Sequence, residues 1–373
     1  MGCYYGRALC VNHLQSYTPE GLDQNPAYYE LLQEAAFKTG PERNITEWLV
    51  QRAYRRYGLQ AAGTSTSTKV MNPDVAAAWA ALGASGYAFD KGVSDSTGVC
   101  QMGLPGALGG LDRTGFENDL HTPTPKTCLE WSAWNSLNAA APAVVAAAAA
   151  AAGPLPEPFV YDLVNTAREV MAQLSTPMLR NFSAALNGTV LSTALVNETA
   201  ARFVELLSDM ELLLATDSAF MLGPWLESAR KLGGTAQDCI NTRISGDIGA
   251  CNDFMEWNAR AQLTSWYPVL GSASSPVVQQ NGRDHDYARK QWSGLVRDVF
   301  IPRANLFRDQ AFTDAAAGQT FNSTAIAEKD ASFLFKWQTG YPSKYALVPE
   351  GDPVAVSTAV YKKWAPYFNA CPQ

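Results

Sequence analysis

The strongest constraint on this chain is an apolar stripe: Val196, Ala200, Phe203, Leu207, Met210 and Leu214 advance by alternating steps of four and three residues. That spacing places all six on one side of a single helix, the pattern of helices that pack on other helices. The same logic applies upstream. From Phe159 to Leu174, residues Val160, Leu163, Val164, Ala167, Val170, Met171 and Leu174 share one side, with Pro177 expected to kink or interrupt the chain beyond it. Downstream, Asp217 and Ser218 cap a helix bearing Leu222, Trp225, Leu226, Ala229 and Leu232. Further helices are predicted over Asn252–Trp266, Asp286–Phe307 and Val354–Phe368. No strand pattern of comparable length competes, so the chain is predicted to be mainly α, an all-α helical bundle.

The first 150 residues are less regular. Pro26–Phe37 reads as a helix stopped by Gly40 and Pro41, and Thr46–Tyr57 as a second one with Thr46 as N-cap and Gly58 as stop. Gly63–Lys69 is a Thr/Ser linker, followed by a short Ala/Trp helix over Pro73–Leu82. Residues 90–127 repeat Gly, Pro, Asp and Thr without a period and read as a surface loop insertion. Trp131–Ala152 is an alanine-dominated helix pair or single helix, broken at Pro142 and ended by Gly153 and Pro154. Gly233–Gly249 is a loop.

Composition excludes several classes of function. With 47% hydrophobic and 17% charged residues among 373, the chain can bury a large core. Its net charge is −7 and its Lys and Arg are scattered, so no nucleic-acid footprint is present. The longest apolar run, Ala139–Ala152, is mostly alanine, too short and too weakly hydrophobic for a bilayer span; no membrane partner is expected. His13, His121 and His285 are scattered, and the seven cysteines contain no Cys-x-x-Cys pair, so neither a metal site nor a cofactor is expected. Cys239 and Cys251 bracket a Gly/Asn/Thr-rich loop that a disulfide would close, worth roughly 3 kcal/mol in the loop-entropy picture; two free thiols are the alternative.

Five Asn-x-Ser/Thr acceptors, Asn44, Asn181, Asn187, Asn197 and Asn322, point to the secretory pathway. Met1–Cys10 has no signal-peptide pattern, so the expectation is a lysosomal, vacuolar or extracellular protein whose leader is not represented in this chain. A cytosolic protein with idle acceptors is the alternative.

Catalysis is not announced by spacing. The chain holds no Gly-x-Ser-x-Gly elbow, no His-Glu-x-x-His, no phosphate loop and no dinucleotide fingerprint. Thr18-Pro19-Glu20 reads, on its own, as an ordinary helix start with Thr18 as N-cap and Glu20 in the first turn. Trp266 and Tyr287 read as core aromatics, and Arg303 as a surface helix residue.

A series of short segments, in order, changes that reading. Thr18-Pro19-Glu20-Gly21 with Gln24-Asn25 comes first, then Arg55-Arg56-Tyr57-Gly58, Tyr161-Asp162-Leu163 and Thr166-Ala167-Arg168. Leu222-Gly223-Pro224-Trp225-Leu226-Glu227, Gln262-Leu263-Thr264 with Trp266, Asp286-Tyr287-Ala288, Lys290-Gln291, Gly294-Leu295-Val296 and Pro302-Arg303 complete it. Together they resemble the α-N-acetylglucosaminidase family of glycoside hydrolases, glycoside hydrolase family 89, from about Tyr17 to the C-terminus.

The resemblance implies a retaining enzyme that releases terminal α-linked N-acetylglucosamine from glycans, working in a (β/α) barrel followed by an all-α domain. It makes Glu20 the nucleophile and Trp266, Tyr287 and Arg303 substrate-binding residues of the helical domain. A Trp face packs on the apolar face of a pyranose, and Tyr hydroxyl and Arg guanidinium hydrogen-bond sugar oxygens. By the same resemblance residues 1–62 are the C-terminal end of the barrel and residues 63–373 the all-α domain. The Ser/Gly/Gln-rich stretch Gly271–Arg283 is longer than the family's loop. The family's acid/base carboxylate lies upstream of the matching region. Retaining chemistry needs two carboxyl groups roughly 5 Å apart, so this chain alone is expected to be inactive. The expected partners are a glycan ending in N-acetylglucosamine and the missing barrel portion of the same enzyme. The alternative is a non-catalytic helical carbohydrate-binding or interaction module that has lost the barrel.

Overall fold

The computed structural model describes residues 26–37, 44–57, 72–87, 122–234, 248–264, 270–272, 275–277, 290–342 and 344–372. Eleven α-helices occur among them: α1 (Pro26–Phe37), α2 (Ile45–Arg56), α3 (Pro73–Ala84), α4 (Pro125–Ala150), α5 (Glu157–Leu186), α6 (Thr193–Leu214), α7 (Leu222–Lys231), α8 (Ile248–Leu263), α9 (Ile301–Ala316), α10 (Ser323–Gln338) and α11 (Pro353–Trp364). A small antiparallel hairpin, β1 (Leu270–Ser272) and β2 (Ser275–Val277), falls in the Ser/Gly-rich stretch. The fold class is the predicted one.

The centre is the α5–α6 pair, two long helices joined by a short turn and packed along their length. The predicted stripe is its inner face: Val196, Ala200, Phe203, Leu207, Met210 and Leu214 are all buried against Phe159, Leu163, Val170 and their neighbours. Each such Leu or Phe contributes about 1.5–3 kcal/mol by leaving water. Around this pair, α2 packs on α3, α3 on α4 and α4 on α5 on one side. On the other, α9 packs on α6, α10 on α9 and α8 on α7. The C-terminal α11 lies across α4, α5 and α6.

Aromatic rings fasten that last helix. Trp131 is stacked between Tyr361 and Phe368, with centroids 4.0 Å away on each side. The Trp134 indole donates to Ser357 Oγ at 2.8 Å, and the Trp364 indole to Asp209 at 2.9 Å. A Cys128–Cys371 disulfide closes the arrangement, joining the first turn of α4 to the C-terminal tail 243 residues later.

Several local expectations are corrected. The N-cap of α2 is Asn44, whose side chain accepts from Glu47 N at 3.1 Å; Thr46 already lies in the first turn. Helix α4 begins at Pro125 behind the N-cap Thr124, so the loop insertion ends earlier than 127. Pro142 does not break α4, and Pro177 does not interrupt α5. Pro142 sits on the exposed side, where the carbonyl it frees can turn to water, while Ala140, Ala141 and Val144 are buried and hold the helix in place. Pro177 is itself buried amid Leu174, Met178 and Leu179, so packing outweighs the lost backbone bond. Within the predicted Asp286–Phe307 helix, residues 290–294 are not helical, and a π-helical turn over Val296–Phe300 leads into α9; residues 286–289 lie outside the described residues. Helix α10 has no counterpart in the prediction. The Gly63–Lys69 linker and most of 90–127 lie outside the described residues.

Candidate functional site

Of the four residues that the family resemblance marks for substrate, Glu20, Trp266 and Tyr287 lie outside the described residues and Arg303 is described. The described chain fixes the ends of the segments that carry Trp266 and Tyr287, and it fixes Arg303 directly.

Thr264, two residues before Trp266, closes α8. Its hydroxyl donates to Arg260 O at 2.9 Å and accepts from Gln338 Nε2 at 3.0 Å. Arg260 itself is 2% exposed and donates to the carbonyls of Trp337 (2.5 Å), in the last turn of α10, and Gly340 (3.3 Å), just past its end. Its charge is met by Glu256 one turn back, at 2.8 and 2.9 Å, and Glu256 also accepts from Arg230 of α7 at 2.8 Å. The guanidinium lies over the Trp337 ring, 4.7 Å from its centroid.

Residues 290–294 re-enter the bundle three positions after Tyr287. Gln291 accepts from Arg168 Nη1 of α5 at 2.5 Å. Ser293 N donates to Phe220 O at 2.8 Å and Leu222 N to Ser293 O at 3.0 Å, a short parallel bridge. Glu211 of α6 then caps the turn: it accepts from Ser293 Oγ (2.9 Å), Gly294 N (2.8 Å) and Arg297 N (3.2 Å). Burial pushes the Glu211 carboxyl above its ordinary range, opposed by these donors. Gly294 has φ +90°, and a Cβ there would stand 2.9 Å from the Tyr345 ring, so only glycine fits this corner.

Arg303 is 1% exposed and paired in two-pronged fashion with Asp330, at 2.8 and 3.0 Å. It is therefore no surface residue. It also makes interactions beyond Asp330. Two of these anchors meet on α10: Asp330 holds Arg303, and Trp337 and Gln338 hold the end of α8; β1 and β2 pack on the same helix. The helix absent from the sequence prediction is the one on which these contacts converge. Its signal was present, since Ile326, Leu334 and Trp337 share its buried face behind the N-cap Asn322, but Asn322 read as a glycan acceptor.

Two more of the family segments meet at the α2–α5 contact. Asp162 accepts from Tyr57 Oη at 2.9 Å and Arg56 Nη1 at 3.2 Å, and the Trp79 indole donates to Tyr57 Oη at 2.9 Å. Burial raises the Asp162 carboxyl to about 6 despite Arg56 and Tyr57. A folded-state value above the unfolded one means the fold binds this proton more tightly, so the contribution is favourable in acid and is lost as pH rises from about 4 to about 6. Relative to Asp162→Asn, the wild-type chain is expected to lose about 2 kcal/mol of unfolding free energy between pH 4 and pH 7. Urea titrations of both proteins across that range check it; a constant gap between them would refute it.

Cys251 is disulfide-bonded, to a cysteine outside the described residues, where Cys239 also lies. The Cys128–Cys371 bond was not foreseen, because pairing cannot be read from cysteine spacing. Among the described residues no group of three or more His, Cys, Asp or Glu could hold a metal ion, and no helix is long and apolar enough to cross a membrane.

The profile of the alpha-N-acetylglucosaminidase (NAGLU) C-terminal domain matches residues 48–363. The chain is 27% identical over 356 residues to human alpha-N-acetylglucosaminidase, covering 94% of this chain and 40% of that protein, so it spans well under half of that relative. In fold it resembles CpGH89 of Clostridium perfringens in complex with its substrate GlcNAc-alpha-1,4-galactose, with TM-score 0.63, 18% identity and coverage of 91% of this chain and 33% of that one. The family 89 glycoside hydrolase of Clostridium perfringens in complex with PUGNAc gives TM-score 0.64 at 18% identity, covering 92% and 34%.

Proposed function

Because this chain belongs to the family of alpha-N-acetylglucosaminidase C-terminal domains, we propose that it acts as the C-terminal part of an α-N-acetylglucosaminidase, a retaining hydrolase that frees terminal α-linked N-acetylglucosamine from glycans. The match over residues 48–363 is the observation that carries this reading. It is supported by the way family segments far apart in the chain meet: Arg56-Tyr57 with Asp162, and Arg168 with Gln291. The solved complex of the bacterial enzyme with GlcNAc-alpha-1,4-galactose favours the same substrate class.

In this reading Glu20 is the nucleophile that forms the glycosyl-enzyme. Trp266 stacks on the sugar, and Tyr287 and Arg303 hydrogen-bond it, with Asp330 holding the Arg303 guanidinium in place. The acid/base carboxylate belongs to the barrel portion, so the chain by itself turns nothing over. The Cys128–Cys371 disulfide and the bonded Cys251 favour an oxidising compartment of the secretory route.

The test is hydrolysis of a chromogenic α-N-acetylglucosaminide. The chain alone is expected to be inactive, and the chain combined with the barrel portion active, with Glu20→Gln lowering turnover at least about a hundredfold. Turnover by the chain alone that Glu20→Gln abolishes would show both carboxylates within these 373 residues and overturn the division of labour. Turnover of the combined protein unchanged by Glu20→Gln would remove the nucleophile assignment.

A further inference from the structure

Residues 344–350 run exposed along the bundle except at Tyr345, which is partly buried and packs against the core. Two glycines of the family segments make room for it. A Cβ on Gly223, in the first turn of α7, would overlap the Ala346 carbonyl oxygen, and one on Gly294 would meet the Tyr345 ring at 2.9 Å. Around the ring stand the ends of both segments described above. From the α8 side, the Arg260 guanidinium lies 5.9 Å from the ring centroid. Trp337, whose carbonyl accepts from Arg260, donates its indole N–H to Tyr345 Oη at 3.2 Å. From the corner at Gly294, the Arg297 guanidinium lies 5.8 Å from the same centroid. Arg297 and Asp298 are consecutive in the π-helical turn and pair with each other at 2.8 and 2.9 Å. The turn thus brings a cation to the ring and a carboxylate to the hydroxyl. Burial, and then the Asp298 charge, push the phenol up to about 12, so the hydroxyl keeps its proton at neutral and acidic pH.

We propose that Tyr345 is a positioning residue: its ring and hydroxyl lock the end of α8 to the corner at Gly294, and so fix the spacing between the segment that leads to Trp266 and the segment that leads from Tyr287. The inference rests on the proposed function, which puts both of those aromatic residues against the sugar. In that reading they hold the sugar in the ground state and in the transition state alike, so a lost spacing weakens binding. The two carboxylates belong to the barrel, and turnover of bound substrate is left nearly as it was. Tyr345 acts only through the residues it positions and touches no substrate itself.

Two variants of the full chain test it: Tyr345→Phe keeps the ring on Gly294 and removes the hydroxyl, and Tyr345→Leu removes both. Hydrogen exchange is read over residues 257–264 and 290–297, and hydrolysis of a chromogenic α-N-acetylglucosaminide is measured with the barrel portion present. The expected result is faster exchange in both segments together. KM should rise about fivefold for Tyr345→Phe and about twentyfold for Tyr345→Leu, with kcat within about twofold of wild type. In a Trp266→Ala background, most of the Tyr345→Phe effect on KM should vanish, because the residue acted upon is gone. Should Tyr345→Leu fail to fold, Tyr345→Phe carries the test alone. Faster exchange in one segment only would overturn the coupling. Both segments loosened with KM unchanged, or effects of Trp266→Ala and Tyr345→Phe that simply add, would overturn the positioning role. A wild-type protein that hydrolyses nothing with its barrel portion would refute the proposed function and the substrate part of the inference with it, while faster exchange in both segments would still uphold the coupling.

Discussion

Replacing Cys128 and Cys371 together by serine is expected to lower the unfolding free energy by about 5 kcal/mol, the upper end for a single disulfide. The cross-link closes a loop across 243 residues of sequence, and the chain entropy it removes from the unfolded state grows with the logarithm of loop length. The double replacement is preferable to either single one, which would leave a reactive thiol beside the Trp131–Phe368 stack. The bond also has a local effect. It fastens the tail of α11 to α4, so in the variant the stack of Trp131 with Tyr361 and Phe368 should loosen before the α5–α6 centre does. Near-ultraviolet circular dichroism and urea unfolding report the two effects separately. An unchanged urea midpoint would mean that aromatic packing alone holds α11.

The second large effect is expected at Glu256. This carboxylate is fully buried and meets two guanidiniums, Arg260 on its own helix and Arg230 on α7. Glu256→Gln keeps the shape and removes the charge, which leaves Arg260 buried with carbonyl partners but no counter-ion. Breaking such a buried arrangement costs about 3–5 kcal/mol. Because Arg260 pins the end of α8 through the carbonyls of Trp337 and Gly340, the loss should also loosen the segment that leads to Trp266. Hydrogen exchange over residues 257–264, measured beside global stability, would register that loosening. A cost below about 1 kcal/mol would show that the backbone carbonyls suffice for Arg260.

Glu256 and Arg260 also show how much of a buried ion pair a sequence reveals. Glu before Arg at a spacing of four on a helix is a recognisable pair, and it was visible in the chain. That the pair is buried was not, since the burial comes from α7 and α10, distant in sequence. Arg303 is similar. Its identity as a family position was legible beside Pro302, but its partner Asp330 sits on a helix whose stripe is short and whose N-cap doubles as a glycan acceptor. The ends of helices were the least legible part. Asn44 replaces Thr46 as a cap because both residue types accept hydrogen bonds and only the backbone dihedrals choose between them.

What the sequence by itself determined is the mainly helical class and the inner face of α5 and α6, because helical periodicity is a local property that any burial partner will satisfy. The order of the family segments likewise needed no structure. Tertiary packing alone decided that Pro142 and Pro177 stay inside continuous helices, since the cost of a proline is local and the burial that offsets it is not. It also decided that Cys128 meets Cys371, and that α10 collects the end of α8, the hairpin and Arg303 on one frame. Those are contacts between residues tens to hundreds of positions apart, where no periodicity in the chain carries the information.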